Sequence, residues 1–164
     1  MRGKWERGIE PRNFAWVIKD QLAVSERPGG YARNHRKVRR HEEILWLRNQ
    51  GFDRIVSLLP SPHNLVAYDE LGVPWSHFPF GAGSDNKATL IELFTALHGF
   101  LSKGEKVLLH QEELGDRIMG IVAGYLLATR AIDTGPHAVT VVEQLLHRQM
   151  GPPGRELVAI AANL

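Results

Sequence analysis

The sequence predicts an α/β fold in which a mostly parallel central sheet is flanked by helices. Short runs of β-branched and leucine residues, the size of buried strands, alternate along the chain with longer segments of helical periodicity. Glycine or proline stands at many of the boundaries between them, and no internal repeat is present. Strands and helices that alternate in this way build a parallel sheet, because each helix returns the chain to the edge where the next strand starts.

The first part of the chain predicts two strands, a helix and a third strand. Apolar residues alternate over residues 14–18 and again over 22–24, and a Pro-Gly-Gly turn at 28–30 ends this pair. A helix is expected from residue 38 to the glycine at position 51. Residues 53–60 are almost continuously apolar in the middle, which is typical of a strand buried on both faces.

The rest of the chain continues the alternation. The helical assignment is clearest where leucine and phenylalanine recur at three- and four-residue spacing in the segment after position 88. In the strand before it, Phe78 and Phe80 face one way, and Val73 and Trp75 face the other. The expected elements are, in order, a helix over 64–72, a strand over 73–80, a helix over 88–102, a strand over 107–109, and helices over 118–129, 137–150 and 156–162.

Length and composition limit the classes of function. The 164 residues suit one domain over 1–164, with 1–12 as an extended N-terminal segment. The chain has no cysteine, which excludes disulfides, thiolate metal sites and thiol nucleophiles. A net charge of +2 is too small to argue for nucleic acid by itself. With no apolar segment of transmembrane length and no secretory signal, we expect a cytoplasmic protein. His98, His137 and His147 lie on predicted helices without the spacing of metal ligands, so we expect no metal site and no cofactor.

One segment has the outline of a phosphate-binding loop. The strand 107–109 ends at His110, a short polar loop follows, and Arg117 precedes an apolar helix. Loops that join a buried strand to a helix bind phosphate through backbone N–H groups at the start of the helix. This loop, however, contains three carboxylates, at Glu112, Glu113 and Asp116, which repel a phosphate.

The order of these segments resembles the dual-specificity branch of the protein tyrosine phosphatases. In that family a strand is followed by His-Cys, five loop residues, an arginine, a serine or threonine, and an apolar helix. Here His110 matches the histidine, and Arg117 falls on the arginine. Gln111 occupies the position of the nucleophilic cysteine. The resemblance covers roughly residues 14–158, and its other parts are FAWVIKDQLAVSERPGG, GFDRIVSLLP, HFPFGAGSD and GPPGRE. It implies a protein tyrosine phosphatase-like sandwich of one domain.

The resemblance also implies that the catalytic groups are lost. Family members need a thiolate nucleophile, loop glycines, a hydroxyl after the arginine and an aspartic acid that protonates the leaving oxygen. Those positions hold Gln111, Leu114, Asp116, Ile118 and Ala82. We therefore expect a pseudophosphatase that binds another protein, with no catalytic residues and a degenerate phosphate loop that consists of His110, Gln111, Glu112, Glu113, Leu114, Gly115, Asp116 and Arg117.

Three of the polar residues have a structural reading beside the functional one. Arg117 either binds an anion or, as the favoured expectation, pairs locally with one of the loop carboxylates. His110 is expected to be a hydrogen-bonded core histidine. Asp85, three residues beyond the acid position, is expected to cap the helix that starts near 88, with a displaced general acid as the alternative.

A basic segment lies between positions 33 and 40. Its ordinary reading is a solvated helix face with its preceding loop, and its functional readings are docking of an acidic or phosphorylated protein or contact with nucleic acid. The docking residues would be Arg33, Arg36, Lys37, Arg39 and Arg40. Two other functions stay open: a phosphatase-fold hydrolase that uses Glu112 or Glu113 in residual or different chemistry, and a nucleic-acid binder that uses this segment.

Overall fold

A computed structural model describes residues 8–30, 37–62, 65–81 and 86–164. Strands and helices alternate through this part of the chain, as the sequence predicts. The elements are β1 (Ala15–Ile18), β2 (Leu22–Ser25), α1 (Lys37–Asn49), β3 (Arg54–Ser57), α2 (Leu65–Glu70), β4 (Trp75–His77), α3 (Asn86–Ser102), β5 (Val107–His110), α4 (Asp116–Ala128), α5 (Gly135–Leu146) and α6 (Pro152–Ala162).

The five strands form one sheet with the order β1-β2-β5-β3-β4. The strands β2, β5, β3 and β4 run parallel to one another. Only β1 is antiparallel, and it pairs with β2 in a hairpin. The prediction of a mostly parallel sheet flanked by helices is therefore confirmed. The strand β5 lies at the centre, so the loop that follows it leaves the middle of the carboxyl edge.

The sheet separates two hydrophobic clusters. The larger cluster packs α3, α4, α5 and α6 on one face, and the smaller packs α1 and α2 on the other. Phe78 and Phe80 belong to the first cluster and Val73 and Trp75 to the second, which confirms the predicted alternation of faces. The strand itself is shorter than expected, because only Trp75–His77 pair with β3.

Two helices differ most from the sequence prediction. The last helix begins at Pro152, four residues before the predicted start. Proline is favoured there because it has no backbone N–H, and the N–H groups of a first helical turn have no partner within the helix. The preceding helix begins at Gly135, where the Thr134 hydroxyl accepts a hydrogen bond from the His137 N–H. It ends at Leu146, not Met150, because His147 has a left-handed conformation with φ 55°.

Close packing between α4 and α6 places the start of both helices side by side. A Cβ added at Gly120 would lie 2.7 Å from the Cα of Gly154, and one at Gly124 would lie 2.9 Å from the Cβ of Ala161. These glycines let the two backbones approach more closely than larger residues would. No helix in the described ranges is long and apolar enough to cross a bilayer.

Candidate functional site

The loop between β5 and α4 lies at the carboxyl edge of the parallel strands, where α/β proteins place their ligands. It runs from Gln111 to Gly115, and α4 starts at Asp116. Gly115 is the N-cap of α4 and supplies no side-chain hydrogen bond to the first turn. The segment that follows β2 is bonded to this loop, because the Arg27 N–H donates to the Glu112 carbonyl over 3.3 Å.

His110 lies under the loop and is fully buried. Its Nε2 shares a hydrogen bond of 2.9 Å with the Tyr68 hydroxyl, and its Nδ1 lies 3.1 Å from the Gln111 carbonyl oxygen. Burial, together with the charge of Arg27, lowers the pKa of His110 to about 4. The residue is therefore a neutral, hydrogen-bonded core histidine, as expected from the sequence.

Gln111 occupies the first loop position and is half-buried. Its Nε2 donates to the Leu58 carbonyl over 3.2 Å, and the Leu58 N–H donates to the His110 carbonyl over 2.9 Å. The side chain thus joins the ends of β3 and β5. A neutral amide has no accessible nucleophilic form, so this position supplies no nucleophile in the way that a thiol would.

Asp116 points toward α6 rather than acting only within its own loop. Its Oδ1 accepts a hydrogen bond of 2.8 Å from the Gly151 N–H and lies 3.4 Å from the Arg148 guanidinium. Gly151 is the N-cap of α6, where a carboxylate is favourable because the helix N-terminus carries partial positive charge. The aspartate therefore ties the start of α4 to the start of α6.

Arg117 does not form the local pair that the sequence suggested. Its side chain is exposed, and it makes no ion pair with any residue in the described ranges. The carboxylates have other surroundings: Asp116 contacts Arg148, and Glu112 lies 4.0 Å from Arg27. Glu113 also makes no ion pair in that part of the chain. Its carboxylate lies close to Gly115, because a Cβ added to that glycine would stand 3.3 Å from the Glu113 Oε1. Asp116 instead contacts the Gly151 N–H and Arg148, both just before α6.

The two apolar replacements in this region are part of the core. Ile118, in the first turn of α4, is fully buried, and Leu114 packs against the larger cluster. A hydroxyl at position 118 would have to find a hydrogen-bond partner there. Both residues therefore have a packing role.

A cavity of about 430 Å³ opens above the loop. Its walls combine the loop with the segment after β3, the segment after β4 and the first turn of α6. The lining residues are Leu59, Pro60, Phe80, Gln111, Glu112, Glu113, Gly115, Asp116, Arg117 and Pro153. This size lies within the range of small-ligand sites, roughly 300–1,000 Å³. The cavity therefore lies where the loop position predicts a ligand site, although three of its lining residues are acidic and one is basic.

The basic segment is only partly available for docking. Arg33 and Arg36 lie outside the described residues. Arg39 donates to Glu43 over 2.6 Å, and Glu43 is only 1% exposed. Burial raises the pKa of Glu43, and the hydrogen bonds that it accepts oppose this effect. Arg39 therefore compensates a buried carboxylate of its own helix, and this ion pair competes with any contact to a partner.

The remaining basic residues differ in exposure. Lys37 is exposed at the start of α1, whereas Arg40 is half-buried and has a partner. Ala82 and Asp85, the acid position and the expected cap, also lie outside the described residues. No group of three histidine, aspartate or glutamate side chains with metal-binding geometry occurs in the part of the chain that the structure describes.

Sequence reasoning missed several residues that shape the site. Tyr68 fell within the predicted helix over 64–72, and like Arg27, Arg148 and Gly151 it had no stated role. Tyr68 reaches His110 across 42 positions and Gly151 reaches Asp116 across 35. Contacts at such separations leave no periodic signal. The pairing of Arg39 with Glu43, in contrast, has the four-residue spacing that favours ion pairs on a helix.

Solved structures with a similar fold are phosphatases. Kinase-associated phosphatase, in a form with its catalytic-site cysteine replaced by serine, is 20% identical over 94% of this chain and 98% of its own, with a TM-score of 0.76. Tk-PTP in its active form is 19% identical over 91% and 96%, with a TM-score of 0.73. Human DUSP28 is 16% identical over 94% and 96%, with a TM-score of 0.68.

These similarities establish the fold. The chain has the architecture of the dual-specificity and protein tyrosine phosphatases over nearly its whole length, as its sequence segments suggested. No protein-family profile and no curated protein matches the chain.

Proposed function

We propose that this protein is a catalytically inactive phosphatase-fold protein that acts by binding another protein. The observation that carries the proposal is Gln111. It follows β5 directly, at the entrance to the loop, and its amide is used in a hydrogen bond to the Leu58 carbonyl. The whole chain has no cysteine that a rearranged loop would bring to this place.

Other nucleophiles near the loop are poorly suited to replace a thiolate. Ser57 and His110 are neighbours in register on β3 and β5, but both are fully buried. The ring of His110 is also engaged by Tyr68, so it is not available to activate a hydroxyl. A nucleophile must reach the reacting atom at about 3 Å, which burial under the loop prevents.

The loop carboxylates are a weaker alternative. Glu112 and Glu113 are exposed, and an exposed carboxylate beside two others would have to attack a phosphoryl dianion against electrostatic repulsion. At ~4 Å each like charge costs ~1 kcal/mol in water and ~4 kcal/mol at a protein-like dielectric. The arrangement around the loop therefore supports binding more than phosphoryl transfer.

The test is a phosphatase assay on the full chain with p-nitrophenyl phosphate from pH 5 to 8. We expect no turnover above the buffer blank. The matched control is an Arg117→Ala variant purified in the same way, since a contaminating phosphatase would give the same rate in both preparations. Turnover that persists through repurification and disappears in Arg117→Ala would refute the proposal.

A further inference from the structure

We infer that the cavity above the 111–115 loop receives a basic side chain, arginine rather than lysine, from the protein partner. The inference rests on the proposed function and deepens it. It reverses the charge preference that a phosphate-binding loop at this place would have, and it is based on how the charged and apolar groups are arranged around one cavity.

The residues that line the cavity favour a cation. Glu112, Glu113 and Asp116 are acidic, and Arg117 is the one basic residue of the lining within the described ranges. Arg27 and Arg148 approach two of these carboxylates but do not line the cavity. Glu113 has no such neighbour within the described ranges, so its charge is available to a ligand.

The start of α4 would ordinarily attract an anion, and the chain's own acids offset this attraction. Asp116 lies in the first turn of α4, and the Glu113 carboxyl group approaches Gly115, the N-cap. Carboxylates placed in a first helical turn compensate the partial positive charge there, about half an elementary charge. An added phosphate would have to compete with them.

The walls suit the aliphatic part of an arginine. Leu59, Pro60, Phe80 and Pro153 line the cavity beside the charged groups. Arginine buries its three methylene groups along apolar surface while its planar guanidinium pairs with carboxylates or stacks on rings. A volume of about 430 Å³ accommodates one such side chain with part of its backbone.

The experiment is a titration of the ¹⁵N-labelled full chain, followed by the backbone amide signals of residues 111–117, at low salt. The probes are acetyl-Gly-Gly-Arg-Gly-Gly-amide, the same peptides with lysine or glutamate at the centre, and inorganic phosphate. We expect saturable shifts with the arginine peptide, weaker ones with lysine, and none with glutamate or phosphate.

Two substitutions separate the cation and anion readings by the sign of their effect. Glu113→Gln should weaken arginine-peptide binding, and Arg117→Ala should strengthen it. Each change should be about 1.4- to 5-fold, because exposed charge pairs contribute about 0.2–1 kcal/mol. The matched control is Asp133→Asn, which removes an exposed carboxylate between α4 and α5, at the far end of α4 from the loop.

The outcomes decide between the readings. Phosphate binding that weakens in Arg117→Ala, or arginine-peptide binding that neither variant changes, would overturn the inference. Either result without phosphatase turnover would leave the proposed function standing. Turnover would remove the proposed function itself.

Discussion

Acidification should destabilise this protein through His110. Burial lowers the pKa of His110 to about 4, whereas an unfolded chain protonates a histidine near 6.5. Below pH 6.5 the unfolded state therefore gains a proton that the folded state does not. Because a tenfold difference in proton affinity corresponds to about 1.4 kcal/mol, the free energy of unfolding contains roughly 3 kcal/mol that is fully present above pH 6.5 and lost as the pH falls to 4.

Urea unfolding, followed by tryptophan fluorescence at pH 7.5, 6.5, 5.5 and 4.5, measures this loss. Other groups titrate in the same range, so the comparison is with His110→Asn, whose free energy of unfolding should fall by about 2.5 kcal/mol less between pH 7.5 and 4.5. His98→Asn, at an exposed position on α3, should keep the wild-type slope. If wild type and His110→Asn lost stability equally on acidification, the burial of a neutral His110 would be refuted.

Three further results are expected. Gly120→Ala should lower the melting temperature, since its Cβ would collide with the α6 backbone and overpacking costs about 1–3 kcal/mol. Gly99→Ala is the control: it has open space around it and should raise stability by about 0.5–1 kcal/mol. In urea unfolding, Asp116→Asn should cost about 2 kcal/mol and Asp133→Asn less than about 0.5 kcal/mol, because Asp116, unlike the exposed Asp133, accepts a hydrogen bond from the start of α6. Gln111→Cys alone should not hydrolyse p-nitrophenyl phosphate, since the neighbouring carboxylates keep the thiol protonated; turnover would contradict this.

Much of the fold follows from periodicity. The buried runs around β3 and β5 and the leucine spacing of α3 predict the elements without knowledge of their neighbours. The boundary errors have local causes. The predicted helix over 156–162 leaves out Pro152 and Pro153, although proline is also favoured in a first helical turn. The left-handed His147 has no sequence signature as strong as that of glycine.

The site was less accessible to sequence reasoning. The loop, its place at the sheet edge and the burial of His110 could be predicted, because a strand-loop-helix order determines them. The partners of the charged groups could not. Asp116 was one of three loop carboxylates expected to pair with Arg117, but it bonds to Gly151, where α4 and α6 cross closely at their glycines. A non-local contact of this kind depends on packing, which the local pattern does not contain.

The residues that differ from a working phosphatase loop have physical uses of their own. The Gln111 amide joins the ends of β3 and β5, and the Asp116 carboxylate accepts the Gly151 N–H at the start of α6. Such hydrogen bonds contribute about 0.5–1.5 kcal/mol when neutral and about 1.5–3 kcal/mol when charged. A catalytic loop cannot use its side chains in this way, because they must stay available to a substrate, and active sites are often less stable for that reason. Under the proposed function, the same two side chains that remove the chemistry are therefore the ones that hold the loop and both adjoining helices in place.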